Sequence, residues 1–176
     1  MQMTSGLDSR MHQGSRVLAV MAKPLLRGTV KTRLAAQLGD DEALAVYRRL
    51  LLGTLAQAEL LQSADLVLAA TSAGGGMGRA AGAAQDPPSD PLASRSARWR
   101  RLAQRGETLG ARLAGVFADL FADGAACVVA VNSDSPAIPV TYLEQAFAHL
   151  AAAPSPGRLV LGPAADGGYY LMGVDG

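Results

Sequence analysis

Residues 16–34 read RVLAVMAKPLLRGTVKTRL. Their opening, RVLAVM (16–21), is an apolar run without helical spacing, the pattern of a strand buried on both faces of a sheet. It runs straight into a loop where Lys23, Arg27, Lys31 and Arg33 gather around Gly28. Cations beside a glycine and free backbone amides are what a phosphate-bearing ligand needs, although a solvated surface turn would use the same residues. What else the chain brings to that end of the strand decides between the two.

Working outward, strand and helix patterns alternate. DDEALAVYRRLLLGTLAQAELL (40–61) puts Leu44, Tyr47, Leu51, Leu55 and Ala58 on one face, with acidic residues in the first turn where the helix dipole favours them. ADLVLAAT (64–71) predicts a second buried strand, and the strand-helix-strand order implies a parallel pair. TLGARLAGVFADLFAD (108–123) repeats Leu109, Leu113, Phe117 and Leu120 at helical spacing, and AACVVAV (125–131) is a third buried strand. VTYLEQAFAHLAAA (140–153) predicts a helix in which Thr141 and Glu144 have capping-box spacing. RLVLGP (158–163) and YYLMGV (169–174) are the last two strands. The whole is an α/β three-layer sandwich with a mostly parallel sheet, whose ligands bind beyond the carboxyl ends of the strands.

The stretch from Ser72 to about Arg100 is dominated by Gly, Pro, Ser and Ala, and is expected to be a flexible insertion within a single domain of residues 16–176. Its glycines lack the spacing of a dinucleotide fingerprint, and AAQDPPSD (83–90) cannot be the helix that motif opens. Trp99 among the arginines of SRSARWRR (94–101) could stack on single-stranded nucleic acid, but one aromatic in a Ser-rich stretch is thin support.

Composition narrows the partners. With 176 residues, 49% apolar and 18% charged, and a formal net charge of +1, the chain fits one globular domain without a field to attract nucleic acid, so a small ligand is expected. The lone Cys127 has no internal disulfide partner and reads as a small apolar core residue. No run approaches the roughly 20 apolar residues of a membrane helix. Residues 1–15 lack the apolar stretch of a secretory signal and are expected to be a disordered tail, which makes the cytoplasm the expected setting.

Three polar clusters fall at strand ends or corners. In GTVKT (28–32), Lys31 precedes Thr32 and a helix follows, but a P-loop needs a glycine directly before the lysine, where this chain has Val30. Gly28 still allows close backbone approach, and Lys31 and Arg33 suit phosphate oxygens. In NSDSP (132–136), Asp134 is a candidate anchor for Mg²⁺ or Mn²⁺, hard ions that take a carboxylate and complete their shell with phosphate and water; an Asp capping a turn is the alternative. In ADGG (165–168), Asp166 before Gly167 and Gly168 is an ordinary turn signal, or a corner that lets backbone approach a sugar or base. His12 and His149 lie away from these corners, and the sequence has no Cys or His grouping for zinc.

Taken in order, MAKPLLRGTVKTRLAAQLG, QRGETLGARL, VVAVNSDSPAI and LVLGPAADGGYYLMGV resemble the bacterial glycosyltransferases associated with radical-SAM and selenium-domain genes, which have the GT-A nucleotide-diphospho-sugar transferase fold. The chain is also similar in fold and opening motif to 2-phospholactate guanylyltransferase. The resemblance assigns Lys23, Gly28, Lys31, Thr32 and Arg33 to a nucleotide-phosphate loop, Asp134 to a divalent metal, and Asp166, Gly167, Gly168 and Tyr169 to the substrate side. Gln104, Gly106, Leu109, Gly110 and Arg112 match its central motif, to which it attaches no role. It also implies that the fold continues past Val174, so a chain ending at Gly176 is expected to be truncated at the C-terminus. The implied activity is transfer of a sugar from a nucleoside-diphosphate sugar to an unknown acceptor. The alternatives are nucleotidyl transfer from a nucleoside triphosphate with release of pyrophosphate, and nucleotide binding without turnover.

Overall fold

The strand β1 (Ser15–Ala22) lies at the centre of a six-stranded sheet and alternates its apolar side chains between two cores. Leu18, Val20 and Ala22 point into one core with helix α2 (Asp40–Leu60) and helix α4 (Val140–Ala151); Val17, Ala19 and Met21 point into the other with helix α3 (Leu109–Ala122). Both faces are covered, which is why the run reads as continuously apolar. The computed structural model describes residues 14–71, 90–93, 95–152 and 157–176. Most of the expected tail and of the expected insertion lies outside those residues.

The strand order is β3-β2-β1-β4-β6-β5, with β2 at Asp65–Thr71, β3 at Trp99–Gln104, β4 at Ala125–Asn132, β5 at Leu159–Pro163 and β6 at Tyr169–Asp175. Strands β1 to β4 are mutually parallel, whereas β6 runs antiparallel to β4 and β5 antiparallel to β6. The chain leaves β1 toward β2 on one side and returns to β4 on the other, so the topological switch point lies between β1 and β4. Their carboxyl ends are in register, Met21 opposite Asn132. That crevice is where a doubly wound sheet presents its ligand site.

Three local expectations are corrected. Trp99 is the first residue of β3 and is 7% exposed, its indole Nε1 donating to Glu59 Oε1 at 2.9 Å. It is a core residue that no base can stack on, and the ordered sheet begins inside the stretch expected as insertion. The strand WRRLAQ escaped notice because it lies at the sheet edge, where Arg101 is exposed and Arg100 half-exposed, leaving no apolar run. Thr141 does not cap α4: Pro139 is the N-cap, with no side-chain cap bond, and its fixed φ of −63° starts the helix ahead of the hydroxyl. Leu109, the first residue of α3, is 58% exposed and lies outside the core that Leu113, Phe117 and Leu120 share. Cys127 packs in the core, where burial pushes its thiol pKa up.

Candidate functional site

Two loops leave the crevice side by side, one after Ala22 and one after Asn132. The first begins at Lys23, whose backbone N–H donates to Tyr47 Oη at 2.8 Å while its carbonyl accepts from the same hydroxyl at 3.1 Å. Tyr47 Oη also lies 3.1 Å from Ser133 Oγ, so one phenol on α2 ties both loops together. Burial raises the Tyr47 pKa, against the lowering effect of its bonds to Ser133 and Lys23. One helical turn pair further along, Thr54 Oγ1 accepts from Ser135 N–H at 3.1 Å and shares its proton between the carbonyls of Ser133 and Leu50. Thr54 and Ser133 are the buried polar residues of the described core, and both serve to hold Asp134 in place.

Across the crevice, Lys31 Nζ meets Asp134 Oδ2 at 2.5 Å. The two are 103 positions apart in sequence and both are partly exposed. Lys31 is the single non-glycine residue with positive φ among the described residues, at φ 48° and ψ 43°. A left-handed lysine costs roughly 1–2 kcal/mol, so its backbone is held there by its surroundings. It is the N-cap of the short helix α1 (Thr32–Leu38), whose first amides, Leu34 and Ala35, bond its carbonyl.

A cavity of about 270 Å³ opens between the loops, lined by Lys23, Lys31, Tyr47 and Asp134 on one side and by Leu109 and Arg112 of α3 on the other. Gln104, the last residue of β3, forms part of its floor, and its amide donates to Ala22 O at 3.1 Å and Ala69 O at 2.6 Å. That side chain reaches across β2 and pins the ends of β1 and β2. A second cavity of about 210 Å³ shares Ala22 and Lys23 with the first and is lined mainly by apolar groups such as Pro24, Leu25 and Leu68.

The structure brings Lys23, Lys31 and Asp134 together, and not the other candidates. Gly28 adopts φ +71°, and a Cβ there would face the Asp40 carboxylate at 3.5 Å instead of the cavity. Arg27 turns to Asp41, with Nε 2.6 Å from Oδ1 and Nη2 2.7 Å from Oδ2. Thr32 and Arg33 are exposed and do not line the cavity. Asp166, Gly167, Gly168 and Tyr169 belong to the β5–β6 hairpin, where Asp166 Oδ1 accepts from Gly168 N–H at 3.1 Å in an Asx turn. Because β6 is antiparallel to β4, with Leu171 opposite Val131, this hairpin sits at the same edge of the sheet, outside the cavity lining.

Among the described residues, no group of three or more His, Cys, Asp and Glu is gathered to hold an ion. Asp134 is a single carboxylate, with Oδ2 on Lys31. Such a donor fits a hard divalent cation that takes its remaining ligands from phosphate and water, and no ion that demands a full protein cage.

Residues 54–176 match the family described as "Uncharacterized protein conserved in bacteria (DUF2064)". The chain belongs to that family. Among solved structures it is similar to a "putative nucleotide-diphospho-sugar transferase" from Desulfovibrio desulfuricans G20, with 30% identity and a TM-score of 0.74 over 93% of this chain. The chain spans 64% of that protein's length. It also shares a fold with 4-diphosphocytidyl-2C-methyl-D-erythritolsynthase from Anaerococcus prevotii DSM 20548, at 12% identity and a TM-score of 0.51, covering 92% of this chain and 71% of that one. The architecture is therefore the GT-A-like nucleotide-diphospho-sugar transferase fold expected from the sequence. No curated protein matches the chain. No helix among the described residues is long and apolar enough to cross a membrane.

Tyr47, Thr54 and Ser133 were not foreseen as site residues. A tyrosine and a threonine seven positions apart on the buried face of a helix were the available signal, since a hydroxyl placed among leucines must find a partner.

Proposed function

We propose that the protein is a nucleotide-dependent transferase that moves a sugar from a nucleoside-diphosphate sugar to an acceptor hydroxyl. The observation that carries this reading is the meeting of Lys31 and Asp134 over the registered ends of β1 and β4, within a cavity that also exposes Lys23. The similarity to the Desulfovibrio protein, described as a "putative nucleotide-diphospho-sugar transferase", supports it. Within that fold, the motifs quoted above favour the glycosyltransferases associated with radical-SAM and selenium-domain genes.

In this reading a phosphate entering the crevice takes Lys31 Nζ from Asp134, and Lys23 adds a second positive charge at the loop's start. The freed carboxylate would hold Mg²⁺ or Mn²⁺, which supplies charge neutralisation on the phosphates. The acceptor hydroxyl oxygen bonds to the anomeric carbon as the bond from that carbon to the diphosphate oxygen breaks; the nucleoside diphosphate leaves with the electron pair, and the hydroxyl proton passes to solvent water. The residues contribute position and fixed charge, which is the larger part of catalysis in phosphate-leaving-group chemistry. Thr32 and Arg33 would join only at the outer phosphate, since they stand outside the cavity lining. Asp166, Gly167, Gly168 and Tyr169, at the same edge, are proposed for the substrate side.

A melting-temperature panel of UDP, GDP, ADP, UDP-glucose, GDP-mannose, GTP and CTP, each with and without Mn²⁺, tests the proposal, since a ligand of the folded state raises the melting temperature. A metal-dependent rise with one diphosphate and its sugar conjugate supports it. Preference for a triphosphate, followed by pyrophosphate release, would move the assignment to nucleotidyl transfer; no rise with any of them overturns the phosphate cradle.

A further inference from the structure

The cavity has a second wall, built by α3, that the phosphate loop does not use. Arg112 lies on it. Arg27, Arg95, Arg100, Arg101 and Arg105 each meet a carboxylate, of Asp41, Glu59, Asp123, Asp90 and Asp119 respectively. Arg112 meets none among the described residues. Its Nε donates to Gly106 O at 2.8 Å and its Nη2 more distantly to Glu107 O at 3.4 Å. Those carbonyls orient the guanidinium without cancelling its charge, and they leave Nη1 and part of Nη2 as an uncommitted pair of parallel donors.

The turn that supplies the carbonyls is built for close approach. Gly106 has φ +118°, and a Cβ there would stand 2.8 Å from Ala111 Cβ and 3.2 Å from Arg112 N. Only glycine lets this loop fold onto the first turn of α3, where Thr108 caps the helix by accepting from Ala111 N–H at 3.1 Å. The sheet separates the two cations by layer. Val30, beside Lys31, packs into the core shared with α2 and α4, whereas Leu113, beside Arg112, packs into the opposite core. Both side chains nevertheless line one cavity over the sheet's end.

We infer that Arg112 is a binding residue of this cavity and that the ligand is a diphosphate laid across the end of the sheet, one phosphate held by Lys31 and the other by the Arg112 fork. A flat guanidinium with two parallel donors matches the oxygens of a phosphate, and a partly buried uncancelled charge strengthens the contact. The inference rests on the phosphate-cradle reading and adds to it: a monophosphate reaches one wall, a diphosphate both.

The test is calorimetric titration of the protein with inorganic pyrophosphate and with orthophosphate, each in the presence of Mn²⁺, for wild type, Lys31→Ala, Arg112→Ala and Arg112→Lys. Arg112→Ala is expected to weaken pyrophosphate about tenfold to a hundredfold, the range of a charged hydrogen-bonded contact, and to narrow the preference for pyrophosphate over orthophosphate. Arg112→Lys keeps the charge but loses the fork, so it should recover only part of the affinity, and melting temperatures of both variants guard against a simple loss of folding. If Lys31→Ala loses pyrophosphate while both Arg112 variants bind it like wild type, the role of Arg112 is overturned and the cradle stands. Equal losses of pyrophosphate and orthophosphate in the Lys31 and Arg112 variants would overturn the crosswise placement. A wild-type protein that binds neither pyrophosphate nor any nucleotide overturns the cradle reading, and this inference with it.

Discussion

Lys31 Nζ and Asp134 Oδ2 stand 2.5 Å apart across the crevice between β1 and β4, joining loops that are 103 residues apart in sequence. Both side chains are partly exposed, at 29% and 38%, so the pair contributes only about 0–1 kcal/mol to folding. A contact so weak for stability, yet held by a left-handed backbone, is better understood as part of a ligand site.

That distinction gives the first prediction. Lys31→Gly relieves the left-handed strain while removing the ammonium, so stability should hold or rise by up to about 1 kcal/mol as nucleotide affinity falls at least severalfold. Asp134→Asn should abolish the Mn²⁺-dependent part of nucleotide binding with little change in melting temperature. Denaturant unfolding alongside nucleotide titration checks both; a large stability loss without an affinity change would make the pair a structural one.

Tyr47→Phe should cost about 1–3 kcal/mol, because it strands the buried Ser133 hydroxyl and removes the partner of the part-buried Lys23 amide. Burial raises the folded pKa of this phenol above its ordinary value of 10.0, so its contribution is complete below pH 10 and is lost as pH rises through the raised folded value. Stability curves at alkaline pH should therefore fall for wild type, and Tyr47→Phe should remove that share of the fall.

Glu59 contributes on the acid side. Its carboxylate accepts from Trp99 Nε1 and Arg95 Nη1, both at 2.9 Å, and so ties the entry to β3 onto α2. Burial alone would raise its pKa; the bonds from Trp99 and Arg95 together hold it below the ordinary 4.5. The stabilisation is present above pH 4.5 and disappears as pH falls through the lowered folded value. Glu59→Gln should cost about 1–3 kcal/mol at neutral pH and flatten the acid decline seen by circular dichroism.

Gly53 lies on α2 directly beneath the Asp134 loop, where a Cβ would stand 2.8 Å from Pro136 Cβ. Helix propensity favours alanine by up to about 1 kcal/mol, but the proline ring cannot swing aside, and overpacking costs about 1–3 kcal/mol. Gly53→Ala is expected to lower the melting temperature and to weaken metal-dependent nucleotide binding together, since the loop that moves carries Asp134. A stabilised variant with unchanged binding would show that the loop yields freely.

Local pattern alone was enough to read β1, β2, β4 and the three long helices, because each must bury an apolar face whose period is written in consecutive residues. The loop cations and Asp134 were legible as polar interruptions at the ends of those runs. Other features depended on neighbours distant in sequence. β3 is ordered by Glu59 holding Trp99 and Arg95 and by pairing with β2, so no apolar run announces it. The β5–β6 hairpin reverses direction, a matter of which strand it finds as partner and not of its own composition. Only the fold decided that Arg27 turns away to Asp41 while Lys31 reaches Asp134, and that Arg112 shares their cavity from the opposite layer. Charge in a sequence states what a side chain can bind; the register of β1 with β4 and the packing of α3 beneath the sheet determine which partner comes within reach.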